Sequence, residues 1–379
     1  MKIIDFNKIE NADRTRVSAV VLWEDCDQPR REIFIETPPY FGPDVNPDPH
    51  AFLVGCAVPA LHFKERRIAL DRRICPSFLE GLRTAMAVLS HWSNDAWRPP
   101  AVEAKVRRSP VYKRANRRAA LFLSGGIDSL AALRVNRRTH PLDHPGAVKD
   151  GFVLHGFDIG GVVRRGMKYP VFHRTLEALE PVAREARLVL IPVFTNIRHL
   201  CDDRDLWLNR FFGAVLAAVS HAFSKRVSLS YIASSYDIAH LHPCGSHPLL
   251  DPFYSRLDMR ILHRDLELTR MEKIRTVVQW DTAFQNMRVC LANVPDRLNC
   301  GKCEKCVRTM LALAALNVLH KTRAFAEDDV FPEDLSGFSI RIRDRESFYR
   351  ELIPWLAAAG RADLVDAIAY KLEHDTTAA

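Results

Sequence analysis

A chain of 379 residues with 47% hydrophobic content has enough apolar material for one large core or two moderate ones. The most apolar stretch, Phe211 to Phe223, is too short and too interrupted for a bilayer span. No charged-then-apolar leader opens the sequence, so a cytoplasmic protein without a membrane partner is the expectation.

The first hundred residues read as a separate module. Val17 to Trp23 and Arg31 to Glu36 are strand-like, the second with clean alternation, and Asp25-Cys26-Asp27-Gln28-Pro29 turns between them. Thr37 to Pro49 reads as a Pro-rich loop and Ser77 to Trp92 as a helix. No chemistry is concentrated here, which leaves gating, partner binding or packing. Much of the net charge of +8 is local: between Lys105 and Arg118 stand Arg107, Arg108, Lys113, Arg114 and Arg117 without one acidic residue. A solvated linker is the expectation for such a run, with an RNA or acidic-partner platform as the alternative; Tyr112 is its one aromatic.

The continuously apolar Ala119-Ala120-Leu121-Phe122-Leu123 predicts a strand covered on both faces. It runs into Ser124-Gly125-Gly126-Ile127-Asp128-Ser129 and then Leu130-Ala131-Ala132-Leu133, a good helix former. Two glycines that let backbone N–H groups approach an anion, a helix N-terminus and two hydroxyls suit a pyrophosphate. Asp128 could hold the accompanying magnesium. An ordinary strand-to-helix turn capped by Ser124 is the plainer reading. The Walker form is excluded, because no Gly-Lys-Ser/Thr follows.

Beyond a loop from Arg137 to Asp150, three strands alternate with helices. Phe152 to Phe157 leads to helix Val171 to Ala186, Leu188 to Val193 to helix Leu206 to Phe223, and the third strand is Val227 to Ile232. This spacing predicts an α/β, doubly wound parallel sheet, with ligands beyond the carboxyl ends of its strands. That rule picks Asp158, Thr195, Asn196, Ser234 and Ser235, each with an alternative as a turn or cap residue. His155 reads as a core histidine. His240, His242, Cys244 and His247 look metal-like but lack a compact zinc spacing, which favours a polar substrate-facing loop.

Cys290, Cys300, Cys303 and Cys306 follow the pattern C-x9-C-x2-C-x2-C, with Gly301 between the first two of the close trio. Four thiolates suit a closed structural zinc site, with an iron–sulfur cluster as the competitor. Arg308 to Leu319 predicts a helix that packs this knuckle onto the core. Cys26, Cys56, Cys75, Cys201 and Cys244 are scattered, and none needs a disulfide in a reducing compartment. Arg341 to Glu373 reads as surface helices without a site.

SGGIDS resembles the PP-loop of the ATP pyrophosphatase superfamily, whose members split ATP between the α and β phosphates and adenylate a carbonyl or carboxylate. The resemblance implies that Ser124, Gly125, Gly126, Asp128 and Ser129 contact pyrophosphate and its Mg2+, with Ser124, Asp128 and Ser129 catalytic; Asp158, picked by its place at a strand exit, is a further candidate ATP contact. A PP-loop followed by Cys-Gly-x-Cys-x-x-Cys resembles the 7-cyano-7-deazaguanine synthase family of queuosine biosynthesis over about residues 119 to 319. That family implies ATP-dependent activation of a 7-deazaguanine carboxylate, attack by ammonia, dehydration to a nitrile, and a structural Zn2+ held by the four cysteines. Relatives in bacterial antiphage defence imply an amine acceptor on a partner protein instead.

The implied fold is a HUP-like sheet divided as an N-terminal α+β extension (1–105), a basic linker (106–118), an ATP-binding α/β domain (119–285), a zinc knuckle with its helix (286–320) and a C-terminal helical segment (321–379). The 118 residues before Ala119 are a departure from the family pattern. His247 to Tyr254 stands where the family's substrate loop would lie. Two alternatives remain: a thiolation enzyme of the same superfamily, needing Cys201 or Cys244 to carry sulfur, and a non-catalytic ATP-binding partner module.

Overall fold

The apolar run before the glycine pair becomes the central strand of a sheet whose two faces it helps to bury. The computed structural model describes residues 1–94, 96–106, 118–157, 159, 168–340 and 345–375. Asp158 and residues 107–117 of the basic run lie outside the described residues.

Strands β1 (Lys2–Glu10), β2 (Thr15–Leu22), β3 (Arg31–Thr37), β4 (Arg67–Ile74) and β5 (Ala101–Val106) come from the N-terminal hundred residues. The later strands are β6 (Arg118–Phe122), β7 (Val148–His155), β8 (Val189–Thr195), β9 (Val227–Ala233) and β10 (Arg260–Arg264). All ten form one sheet in the order β10-β9-β6-β7-β8-β3-β2-β1-β4-β5. From β10 to β8 every ladder is parallel. The chain winds outward from β6 through β7 to β8 and then returns to β9 on the other flank of β6. Strand order therefore reverses between β6 and β9, which opens a crevice at their carboxyl ends.

The N-terminal strands continue this sheet. β3 pairs antiparallel with β8 through Ile35 with Thr195 and Glu36 with Phe194. Side chains reinforce the seam: Thr195 Oγ1 donates to the Phe34 carbonyl at 2.7 Å, Asn196 Oδ1 accepts from Phe34 N at 2.8 Å, and Asn196 Nδ2 donates to the Glu32 carbonyl at 2.9 Å. Thr195 and Asn196, expected as ligand candidates at a strand exit, are engaged in this junction. The first hundred residues share their core with the parallel strands: Ile33 and Ile35 of β3 fall in the same apolar cluster as Phe152 and Ile191.

Side-chain alternation along β6 sets two cores. Ala120 and Phe122 face helices α1 (Pro49–His62), α2 (Pro76–Trp92) and α6 (Phe212–Ala222). Ala119 and Leu121, with Leu123 just beyond the strand, face α3 (Ile127–Thr139), α4 (Tyr169–Glu185), α7 (Arg270–Val278), α8 (Asp281–Asn286), α9 (Glu304–Ala315), α10 (Glu346–Ala358) and α11 (Ala362–His374). The result is an α/β fold with a mostly parallel central sheet and helices against both faces.

Two expected elements differ in detail. α3 runs on to Thr139, because Asn136 ties its last turn to the next strand by donating to the Gly146 carbonyl and accepting from Val148 N, both at 2.9 Å. Arg137 and Arg138 suit the negative end of the helix dipole. The helix expected from Leu206 to Phe223 is broken into a short turn, α5 (Arg204–Leu206), a π-helical turn over Trp207–Phe211, and α6. A neighbouring loop accounts for the break: Gly245 N donates to the Leu208 carbonyl at 2.9 Å, and Gly213 N donates to the Gly245 carbonyl at 2.8 Å.

Candidate phosphate site and cysteine quartet

β6 ends where Leu123 N donates to the Phe152 carbonyl at 2.8 Å, and the chain turns sharply at Gly125. Gly125 has φ +76°, a left-handed conformation that costs an L side chain about 1 to 2 kcal/mol. Gly126 is the N-cap of α3, in extended conformation, and no side chain caps the helix. The first amides of α3 are therefore left for a ligand or solvent. Ser124 Oγ accepts from Gly126 N at 3.2 Å and lies 3.3 Å from Ser129 Oγ, which donates to the Gly126 carbonyl at 3.0 Å. Both hydroxyls thus brace the bend from inside. Gly125→Ala is expected to lower stability by about 1 to 2 kcal/mol. Gly337→Ala, where an added Cβ meets nothing within 4 Å, should change it little; urea unfolding midpoints check the contrast.

Asp128, in the first turn of α3, faces a cationic wall. Arg270 Nη1 donates to its Oδ1 at 2.5 Å, and Ser235 Oγ, at the exit of β9, donates to its Oδ2 at 3.2 Å. Burial raises the Asp128 pKa, but the charges of Arg270, Lys273 and Lys305 outweigh it and hold the carboxyl below its usual value. Its side chain is still 25% exposed, enough for a solvent-borne cation to reach it. Lys273 is 1% exposed and donates to the Ser234 carbonyl at 2.8 Å; burial depresses its pKa while Asp128 opposes the shift. Of the two serines expected after β9, Ser235 joins the site, whereas Ser234 closes the turn by donating to the Tyr236 carbonyl at 2.6 Å.

Sequence reasoning missed Arg270, Lys273 and Lys305. A signal existed for α7: Thr269 and Glu272 form a capping box that fixes the helix start, and Arg270 and Lys273 then share one face. Charges at that spacing ordinarily read as solvated.

The four cysteine Sγ atoms lie within 4.8 Å of one another. Cys300 to Cys306 and Cys290 to Cys303 are both separated by 3.9 Å. A tetrahedral zinc with Zn–S of about 2.3 Å requires sulfur separations of about 3.8 Å. A cage this tight suits one ion; a cluster needs room for several irons and sulfides. Gly301, at φ +74°, bends the knuckle, and Cys303 N donates to Cys300 Sγ at 3.2 Å. Cys303 is the N-cap residue of α9, without a side-chain capping bond, and Cys306 lies in its first turn, where the helix dipole favours thiolate. Hydrogen bonds with Cys290 and Cys306 hold the Cys303 thiol far below its ordinary range, while those with Cys290 and Cys303 push Cys306 up.

The quartet is tied to the glycine loop. Asn299 Oδ1 accepts from Val289 N at 2.8 Å and Cys290 N at 3.2 Å, and its Nδ2 donates to the carbonyls of Met287 and Ala324. This fixes the segment in which Arg288 N donates to the Gly125 carbonyl at 2.8 Å. Lys305, beside Cys306, adds its charge to Asp128 from the same knuckle.

The other residues considered from sequence go elsewhere. His240 bonds Asp237 at 2.8 Å, His242 packs on Tyr236, His247 packs on Trp92, and Cys244 Sγ points to the Leu208 carbonyl at 3.6 Å. Among the described residues the four cysteines are the one group whose ligand atoms converge. In the expected substrate loop, Asp251 and Tyr254 are buried, with Asp251 accepting from Ser246 and bonding His263 at 2.7 Å. No helix among the described residues is long and apolar enough to cross a membrane. Comparison with protein-family models, curated proteins and solved structures found no match to the chain.

Proposed function

We propose that this chain is an ATP-dependent enzyme of PP-loop type that adenylates a carboxylic acid, of the 7-deazaguanine class, and passes the acyl group to ammonia or an amine. The observation that carries this reading is the uncapped, glycine-bent start of α3 at the strand-order reversal, facing Arg270, Lys273 and an ionised Asp128. In it, the α3 amides with Ser124 and Ser129 hold the pyrophosphate portion of ATP; Asp128 would hold magnesium, which would offset the charge of the departing pyrophosphate, with Arg270 beside it as a further cation for the phosphates. A substrate carboxylate oxygen attacks the α-phosphorus. The bond to the α–β bridging oxygen breaks, and pyrophosphate leaves with the electron pair. The amine nitrogen then attacks the acyl carbon, AMP departs, and the nitrogen loses a proton to solvent. No side-chain nucleophile is required.

The four cysteines support a structural zinc that braces the loop. Sulfur transfer is disfavoured, because Cys201 is buried and Cys244 half-buried away from the loop. The test is the nucleotide product formed from labelled ATP with 7-carboxy-7-deazaguanine, with and without ammonia. AMP and pyrophosphate should form only with the acid, and Asp128→Ala should reduce the rate about 100-fold or more. An intact protein that binds ATP but yields no AMP with this acid, with or without ammonia, would refute this assignment.

A further inference from the structure

A cavity of about 310 Å³ opens at the carboxyl ends of β7 and β8, against β3. The N-terminal strands contribute Arg31, Phe34 and Glu36 to its lining; the parallel strands and α4 contribute His155, Phe194 and Tyr169. Three of these are aromatic walls. All three are backed by cations: Arg14 stacks 3.5 Å from the centre of the Phe194 ring and 5.6 Å from that of Tyr169, and Arg16 lies 4.1 Å from that of Phe34. Glu36 is held by Arg14 at 3.2 Å and by Arg16 at 2.6 Å, and Arg16 also meets Glu32 at 3.5 Å. With Arg31, three guanidiniums stand against two carboxylates, so the cavity's surroundings are net positive.

His155 is the second, independent observation. It is 0% exposed, stacks on Tyr169 at 4.9 Å with the planes 6° apart, and neither ring nitrogen has a hydrogen-bond partner among the described residues. Buried polar atoms without partners are rare and mark places where something else supplies the bond. Burial first, then the charges of Arg14 and His173, lower its pKa to about 4. The imidazole is accordingly neutral near pH 7 and offers one donor and one acceptor.

We propose that this cavity holds the flat nitrogen heterocycle of the acid substrate, with the ring between aromatic walls and its polar edge on His155. The proposal rests on the carboxylate-activation reading and names where that substrate sits. Adjacent strands are about 4.8 Å apart, so a cavity at β7 and β8 lies roughly 5 to 10 Å along the sheet edge from the loop after β6. A one- or two-ring acid fits the volume and can extend its carboxylate toward the α-phosphate. The arginine excess favours a ring that carries a carboxylate over the neutral base of ATP, the other flat heterocycle present.

The experiment is calorimetric titration of the full chain with 7-carboxy-7-deazaguanine, with indole-3-carboxylate, which has two rings but no pyrimidine edge, and with ATP. Native protein should bind the deazaguanine acid at least tenfold tighter than the indole acid. His155→Phe keeps the aromatic stack and should erase most of that preference, while ATP affinity stays within twofold. Arg31→Gln should weaken both acids a fewfold and flatten their salt dependence. Unchanged acid affinity in both variants, a loss falling on ATP instead, or no acid binding by native protein would overturn the cavity assignment. Binding that responds to His155→Phe without AMP formation would keep the cavity and sink the adenylation reading.

Discussion

Cys303→Ser is expected to release stoichiometric zinc and to remove several kcal/mol of stability. Structural zinc contributes on the order of 10 kcal/mol in small sites, and a core this large retains part of its fold without it. The substitution falls on the cage itself: serine keeps the backbone amide that donates to Cys300 Sγ but not the Cys303 Sγ, which lies 3.9 Å from Cys290 Sγ. Its loss opens the cage toward the segment of Arg288 and Cys290, which braces Gly125 through the Arg288 amide. ATP affinity should therefore fall at least tenfold, although the cysteine has no place in the phosphate contacts proposed. Cys201→Ser, at a buried position outside the quartet, should keep both metal and affinity. Metal analysis, thermal unfolding and ATP titration of the two variants decide the matter. Full zinc and a native melting temperature in Cys303→Ser would remove the metal assignment, whatever the fate of the nucleotide reading.

Local signals were legible and long-range ones were not. The strand before Ser124, the paired glycines and the cysteine spacing each lie within about 20 residues, so local chemistry announces them. The alternation of strands and helices after Ala119 likewise predicted the parallel half of the sheet. The wall opposite Asp128 was hidden because Arg270 and Lys273 stand more than 140 residues away on a helix whose charges look like surface charges. The junction between β3 and β8 was hidden for a related reason. Edge pairing depends on which strands meet, and Ile33 to Thr37 carries the same alternation whether it ends a sheet or extends one.

Helix α1 escaped because all but two of its 14 residues are buried, which erases the one-sided stripe by which a helix is recognised. His155 was read correctly as a core histidine, and the structure adds that its nitrogens lack partners among the described residues. A polar atom's unmet bond is a property of its surroundings and leaves no trace in the sequence.

The same buried imidazoles should make the fold acid-sensitive above the range where carboxylates protonate. Burial is the leading cause that lowers the pKa of His221 to about 3 and those of His155 and His247 to about 4. His221 also feels Arg256 and His50, with Asp48 opposing; His247 feels His263 and His242, with Asp251 opposing. In the unfolded chain each titrates near 6.5. Between those values the unfolded state binds more protons than the folded one, so stability rises with pH through this window and is lost as pH falls from about 6.5 toward 4. Each histidine contributes about 1.4 kcal/mol per pH unit within it. Three together should remove roughly 6 kcal/mol between pH 7.5 and 5, a large part of a typical domain's stability. Asp48 adds to the loss only lower down: Arg256 and His50 outweigh its burial and depress its carboxyl, so its contribution disappears below about pH 4. Urea unfolding across this range measures the slope, and His155→Phe should reduce it by about one proton's worth. A midpoint that is flat from pH 7.5 to 5 would mean that these rings are solvated or charged in the folded protein, against the burial of His221 beside the rings of Phe78 and His50.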